Sequence, residues 1–142
     1  MKRIFLIALT SLISIPMFSQ EEIKGVWLTQ EGNTKVEIYQ KDDQHYSGKV
    51  VWLKKPANKK GEPQKDKMNP DKSLRNRTIM GIDLLENLVY KNGKWHGTIY
   101  SPKRGKTLDA VVRVNESGFL QINVTYLSFS RQQEWKRAEL TE

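Results

Sequence analysis

Hydrophobic and polar residues alternate along most of this chain with the period of two that marks a β-strand whose faces meet different surroundings. Val26 and Leu28 flank Trp27 in the first such run, and Lys35-Val36-Glu37-Ile38-Tyr39 alternates cleanly. From His45 to Leu53, one face carries Tyr46, Gly48, Val50 and Trp52 and the other His45, Ser47, Lys49, Val51 and Leu53. Ile79 to Leu88 is apolar with mixed periodicity, which predicts a short strand leading into a turn of helix. Asn92-Gly93 tolerates positive φ at both positions and predicts a tight hairpin joining Leu88-Val89-Tyr90 to the strand Lys94 to Tyr100. Pro102 to Gly105 marks the next turn, before a strand with Leu108, Ala110, Val112 and Val114 on one face. Glu116-Ser117-Gly118 turns into Phe119 to Phe129, where Leu120, Ile122, Val124 and Tyr126 share a face, and Arg131 to Ala138 completes the series. The pattern is that of roughly eight antiparallel strands, and closing such a meander removes its exposed edges. The predicted architecture is all-β: a small up-and-down barrel.

Two segments interrupt the alternation. Lys2 and Arg3 precede an apolar run from Ile4 to Met17, followed by small and polar residues at Ser19-Gln20. This is the layout of a cleavable export signal. The run is short for a membrane span and is followed directly by Glu21-Glu22. The expectation is a signal peptide over 1–20, one barrel domain over 21–142, a periplasmic or extracellular destination, and no stable membrane anchor after cleavage. The chain has no cysteine, which excludes lipidation at a lipobox, disulfides and thiolate chemistry. The second interruption is a polar excursion from Lys54 to Arg77, rich in Lys, Asn, Asp and Pro. A structureless loop of that length is uncommon in a compact domain and is usually functional or mobile.

Charge changes the picture only there. The formal net charge is +8, and the excursion concentrates Lys54, Lys55, Lys59, Lys60, Lys65, Lys67, Lys72, Arg75 and Arg77. Such a stretch attracts anionic partners; it is equally the composition of a solvated loop, the reading the sequence favours. Lysine outnumbers arginine in it and aromatics are few, unlike a platform for single-stranded nucleic acid, so no nucleic-acid partner is expected.

Candidate chemistry is sparse. Asp66, Asn69 and Asp71 offer oxygen ligands to a hard cation. Their spacing is not that of a calcium loop and lysines surround them, so a turn or loop latch is the favoured reading and no metal site is expected. His45 and His96 share strand faces with polar residues and read as surface histidines. There is no Gly-x-Ser-x-Gly elbow and no Gly-rich phosphate loop, and no cofactor is expected.

Several short pieces, taken in order, carry a resemblance. They are Gly25-Val26-Trp27, Gly48-Lys49-Val50-Val51-Trp52-Leu53, Asp66-Lys67-Met68-Asn69-Pro70-Asp71 and Arg77-Thr78-Ile79-Met80-Gly81, followed by Trp95-His96-Gly97-Thr98-Ile99-Tyr100, Pro102 with Gly105-Lys106-Thr107, and Trp135-Lys136-Arg137. In this order the chain resembles the exported bacterial proteins grouped as domain of unknown function 2147. Two departures stand out: Tyr100-Ser101-Pro102 where the family usually has Tyr-Asp-Pro, and a stretch 122–126 without the family's glycine. The resemblance implies a lipocalin-like barrel and an exported compartment, not a reaction. In such barrels a Gly-x-Trp plugs one end beneath a basic side chain from the last strand. Gly25, Trp27, Trp135 and Arg137 are therefore the expected closure residues, with Arg137 stacked on the Trp27 indole.

Trp52, Trp95, Tyr46 and Tyr126 fall on faces expected to point inward. They either line a small cavity or fill it, and a chain this short favours filling. The first functional expectation is a non-enzymatic binding module for a small amphipathic or apolar ligand, lined by these four aromatics, with Arg75 and Arg77 covering the mouth. The alternative is an envelope interaction protein whose 54–77 loop contacts anionic glycans, lipid headgroups or a partner protein. An enzyme of unrecognised type ranks third, because no nucleophile, metal set or acid–base pair stands out.

Overall fold

The computed structural model describes residues 20–141; the expected signal peptide lies outside them, apart from its last residue. Eight strands follow in chain order: β1 Gly25–Leu28, β2 Thr34–Gln40, β3 Tyr46–Leu53, β4 Asp83–Lys91, β5 Lys94–Ser101, β6 Lys106–Val114, β7 Leu120–Tyr126 and β8 Phe129–Ala138. Each pairs antiparallel with the next, and β8 returns to β1, so the sheet is a closed eight-stranded barrel. The expected all-β, up-and-down architecture is the one observed.

Closure rests on a short strand. β1 pairs with β8 at Val26–Ala138, Trp27–Arg137 and Leu28–Lys136. Beyond Leu28 the strands part, and the Gln30 side chain takes over by accepting a hydrogen bond from the Glu134 backbone N–H at 3.0 Å. A 3-10 turn, Gln20–Ile23, seals the adjacent end. Trp27 is fully buried and donates its indole N–H to the Ile23 carbonyl at 2.8 Å. Arg137 lies 3.8 Å from the centre of the Trp27 ring, the stacking that the resemblance implied. Its two terminal nitrogens donate to the carbonyls of Lys24 at 2.5 Å and Glu22 at 2.8 Å. Gly25 has φ +116°, and a Cβ there would stand 2.9 Å from the guanidinium. One glycine thus gives the backbone a turn that L side chains avoid and leaves the arginine its seat.

The departures from simple alternation have a common cause. In the β2–β3 pairing, Val36 faces Val50 but Lys35 faces Trp52, so Val51 is an extra residue. A β-bulge of this kind exchanges the faces of everything beyond it. Trp52 therefore turns outward, where the Lys35 ammonium lies 5.2 Å above its ring, and Leu53 turns inward. β4 carries two further shifts against β3 and one against β5. They bring the neighbours Leu84 and Leu85 both into the core and put Asn87 at φ 54°. The mixed periodicity of 79–88 is thus a turn at 79–82 leading into the bulged strand β4, because bulges, like helices, spoil a period of two. Gly97 sits opposite the bulge, and a Cβ there would meet the Glu86 carbonyl oxygen at 2.4 Å.

The 54–77 excursion is folded back on itself. Ala57 bridges Pro63, and Lys65 bridges Thr78. A short 3-10 turn, Lys72–Leu74, is capped by the Asp71 carboxylate, which accepts from the Ser73 N–H at 2.9 Å.

Two substitutions test these devices by equilibrium unfolding. Gly97→Ala is expected to lower stability by about 1–3 kcal/mol through steric overlap with the bulge. Arg137→Ala is expected to cost about 1–2 kcal/mol from lost stacking and two lost carbonyl hydrogen bonds, with Arg137→Lys recovering only part because an ammonium lacks the planar fork.

Candidate binding pocket

The two ends of the barrel differ in filling. At the closed end Tyr46 and Trp95 meet at 4.4 Å in a tilted pair, and Tyr90 adds a second contact to Trp95 at 5.2 Å. With Trp27, Ile38, Leu88, Val112 and Leu120, all buried, they leave that half solid. Towards the β1–β2 and β7–β8 turns the inward residues are smaller, and a cavity of ≈ 690 Å³ opens to solvent. Val50, Leu53, Leu84, Ile99, Leu108 and Val124 form its apolar wall and Trp135 joins them. The volume lies within the ordinary range of small-molecule sites. Trp135 is almost fully buried, with its indole N–H satisfied by the Gln133 side-chain oxygen at 3.1 Å. The rim is polar: Lys103, Arg104, Lys106 and Arg131 line it, with Glu31 as the carboxylate among the lining residues.

Of the six expected ligand residues, Tyr126 alone lines this cavity, at its mouth. Trp52 is excluded by the bulge at Val51. Tyr46 and Trp95 face inward but are consumed by packing at the closed end. Trp135, expected to help close the barrel, belongs to the cavity wall. Leu53, Ile99 and Leu108 were missed as lining residues. For Ile99 and Leu108 the alternation was available, but for Leu53 it pointed to the wrong face.

Arg75 and Arg77 do not cover the mouth; they tie the excursion down. The Asp66 carboxylate is wholly buried. It accepts hydrogen bonds from Asn69 Nδ2 at 2.8 Å, from Arg77 Nε at 2.9 Å and from the Tyr100 hydroxyl at 2.7 Å. Arg77 Nη2 adds an ion pair at 2.9 Å, and Arg75 Nε donates to the Asn69 carbonyl at 2.8 Å. Gly105 completes the docking: a Cβ there would stand 1.8 Å from the Met68 carbonyl oxygen, so only glycine lets the loop sit against the β5–β6 turn. The latch in turn presents Ile79 and Tyr100 to the cavity wall. The Asp66–Asn69–Asp71 cluster is thus spent on the protein's own donors. Among the described residues no three His, Asp or Glu side chains converge as a metal site. His45 bonds Asp42 at 2.8 Å and His96 is exposed, so the two histidines form no pair.

The architecture and the spacing of these elements are shared with other proteins. A family model described as an uncharacterized protein conserved in bacteria (DUF2147) matches residues 25–137. The chain belongs to that family. For this DUF2147 chain, a solved structure gives a second comparison: protein HP1028 from the human pathogen Helicobacter pylori, described as belonging to the lipocalin family. It is similar with a TM-score of 0.68 and 25% sequence identity, covering 82% of this chain and 83% of that one. No curated protein matches. The lipocalin-like barrel is thus supported both by topology and by a structural neighbour.

Titration of the latch follows from its contacts. Burial raises the Asp66 pKa, but the hydrogen bonds from Asn69, Tyr100 and Arg77 together with the Arg77 charge outweigh it, and the carboxyl is held below its usual value. Burial, and then donation to the Asp66 carboxylate, push the Tyr100 hydroxyl up to about 12. A depressed acid contributes stability above its unfolded pKa and loses it as pH falls through the folded value. A raised phenol contributes below its unfolded value and loses it as pH rises towards about 12. Asp66→Asn is therefore expected to cost about 1–3 kcal/mol at neutral pH. The difference from the parent should shrink in acid as Asp66 itself protonates, measured by urea unfolding across pH.

Proposed function

We propose that this DUF2147 protein is an exported, non-enzymatic binding module that holds a small amphipathic ligand in the open half of its barrel. The observation that carries the reading is the division of the interior: an aromatic-packed closed half beneath an apolar cavity of ≈ 690 Å³ with a cationic rim. An apolar wall takes a ligand's hydrocarbon, and a rim rich in Lys and Arg favours a polar or anionic end facing water. The lipocalin-like fold supports a small-ligand module, and the basic run after Met1 followed by an apolar stretch supports export. The reading that makes the 54–77 loop the contact surface rested on its basic charge and on the rarity of a long loop without a function; the latch gives the loop a structural role and engages Arg77, so the cavity carries the preferred reading.

The test is native mass spectrometry of the protein from its own envelope fraction, followed by organic extraction, with the N-terminus read from the same intact mass. A reproducible bound mass and a start near residue 21 are expected. An environment-sensitive anionic amphiphile should bind the parent, and Val124→Trp, which fills the cavity, should weaken it by about tenfold or more (about 1.4 kcal/mol). Tyr46→Phe at the packed end should leave the affinity unchanged. Equal affinity in parent and Val124→Trp, with a clean apo mass, would reject the reading.

A further inference from the structure

The β7–β8 hairpin departs from a rule that the other turns obey. Positive φ elsewhere in the strand connections is held by glycine or asparagine: Gly32, Gly61, Gly81, Gly105, Gly118 and the pair Asn92-Gly93. In the two-residue turn between Tyr126 and Phe129, the residue at φ 54° is Leu127. Leucine is uncommon there, since its Cβ crowds the backbone, and glycine is the usual occupant of such a position. The strained leucine is not rewarded by packing. Leu127 is 82% exposed and Phe129 75%, with Tyr126 beside them at 48%. Three large apolar side chains thus stand at the outermost point of one hairpin. The closed end presents Lys91, Asn92, Gly93 and Lys94 at its corresponding tip.

The surroundings say what fits this tip. Arg131 follows it on β8, and Lys103, Arg104 and Lys106 come from the neighbouring β5–β6 turn and the start of β6, all exposed on the same mouth. Lys106 reaches within 5.1 Å of the Tyr126 ring, while Lys103, Arg104 and Arg131 take part in none of the ion pairs among the described residues. A second copy docked through the same hairpin would bring these cations against their own counterparts, which charge repulsion opposes. An apolar wedge ringed by unpaired cations matches instead a bilayer interface with anionic headgroups. The wedge enters the acyl boundary while the cations meet the phosphates.

We propose that the β7–β8 hairpin and its basic rim dock the mouth of the barrel onto an anionic lipid surface. The cavity then opens towards the bilayer, and an amphipathic ligand passes between the two without crossing bulk water. The docking stands on the hairpin and rim and not on what the cavity holds, so an empty cavity would leave it intact.

The chain has no cysteine, which allows a single reporter to be placed at will. Protein expressed from the full sequence, carrying Ser128→Cys labelled with an environment-sensitive nitrobenzoxadiazole dye, is mixed with vesicles of phosphatidylcholine alone or with phosphatidylglycerol. A blue shift and brighter emission are expected with the anionic vesicles. No change is expected for the same dye on Lys94→Cys at the opposite end. Sedimentation with anionic vesicles should fall by about tenfold or more in Leu127→Ser/Phe129→Ser. It should fall about fivefold for each of Lys103, Arg104 and Arg131 replaced by Gln. These side chains are exposed, and near-ultraviolet dichroism of the four tryptophans verifies that each variant keeps its fold. No spectral change at Ser128→Cys on anionic vesicles overturns the proposal, as does unchanged sedimentation of the double variant. A shift that grows with protein concentration in the absence of lipid also overturns it, in favour of self-association.

Discussion

The Arg137 guanidinium on the Trp27 indole is the contact on which the closed barrel depends. A meander of antiparallel strands needs its last strand to find its first, and here the first is four residues long. So short a strand supplies few ladder hydrogen bonds of its own. Arg137 compensates by tying three things together at one point: the buried indole of β1, and the carbonyls of Glu22 and Lys24 in the segment that caps the barrel. Gly25 is the local condition for this arrangement, because a side chain there would crowd the arginine. Closure then fixes which side chains share the interior, and so where space is left.

The division of that interior follows from side-chain size and from one non-local tie. Large aromatics are concentrated at the end near the 3-10 cap, where Tyr46, Tyr90 and Trp95 pack together. Towards the other end the inward positions are held largely by Val, Leu and Ile, which cannot meet across the lumen. The folded excursion determines the shape of the wall on that side. Asp66 gathers donors from the loop itself and from Tyr100 on β5, so a segment with much charge and little apolar content is held by a buried carboxylate instead of by a core. Such a group is costly to bury unless its oxygens are satisfied, and here each oxygen has at least one donor.

Strand order and hairpin positions were legible because each is written locally, in alternation and turn residues, whereas the meeting of β1 with β8 was implied by the family resemblance and by the need to close the meander. Asn92-Gly93 announced its hairpin outright. The failures have equally physical causes. A bulge leaves the composition of a strand unchanged while exchanging its faces, so Trp52 read as inward and Leu53 as outward when the reverse holds. The bulges of β4 imitated a helical period. The Asp66–Tyr100 bond joins residues 34 positions apart, and nothing in either neighbourhood names the other. Tyr46 and Trp95 were placed on the correct face, but whether an inward aromatic lines a cavity or fills it depends on neighbours across the lumen that alternation does not specify.

The early end of β1 has a mechanical consequence. From Trp135 back to Phe129, β8 keeps β7 on one side, while on the other, among the described residues, it has the bond from the Glu134 N–H to the Gln30 side chain of the β1–β2 turn. A hoop under internal pressure parts at the joint with the fewest fastenings. An occupant slightly too wide for the lumen would spread the wall along this half-length seam, leaving the Trp27–Arg137 end shut like the hinge of a clasp.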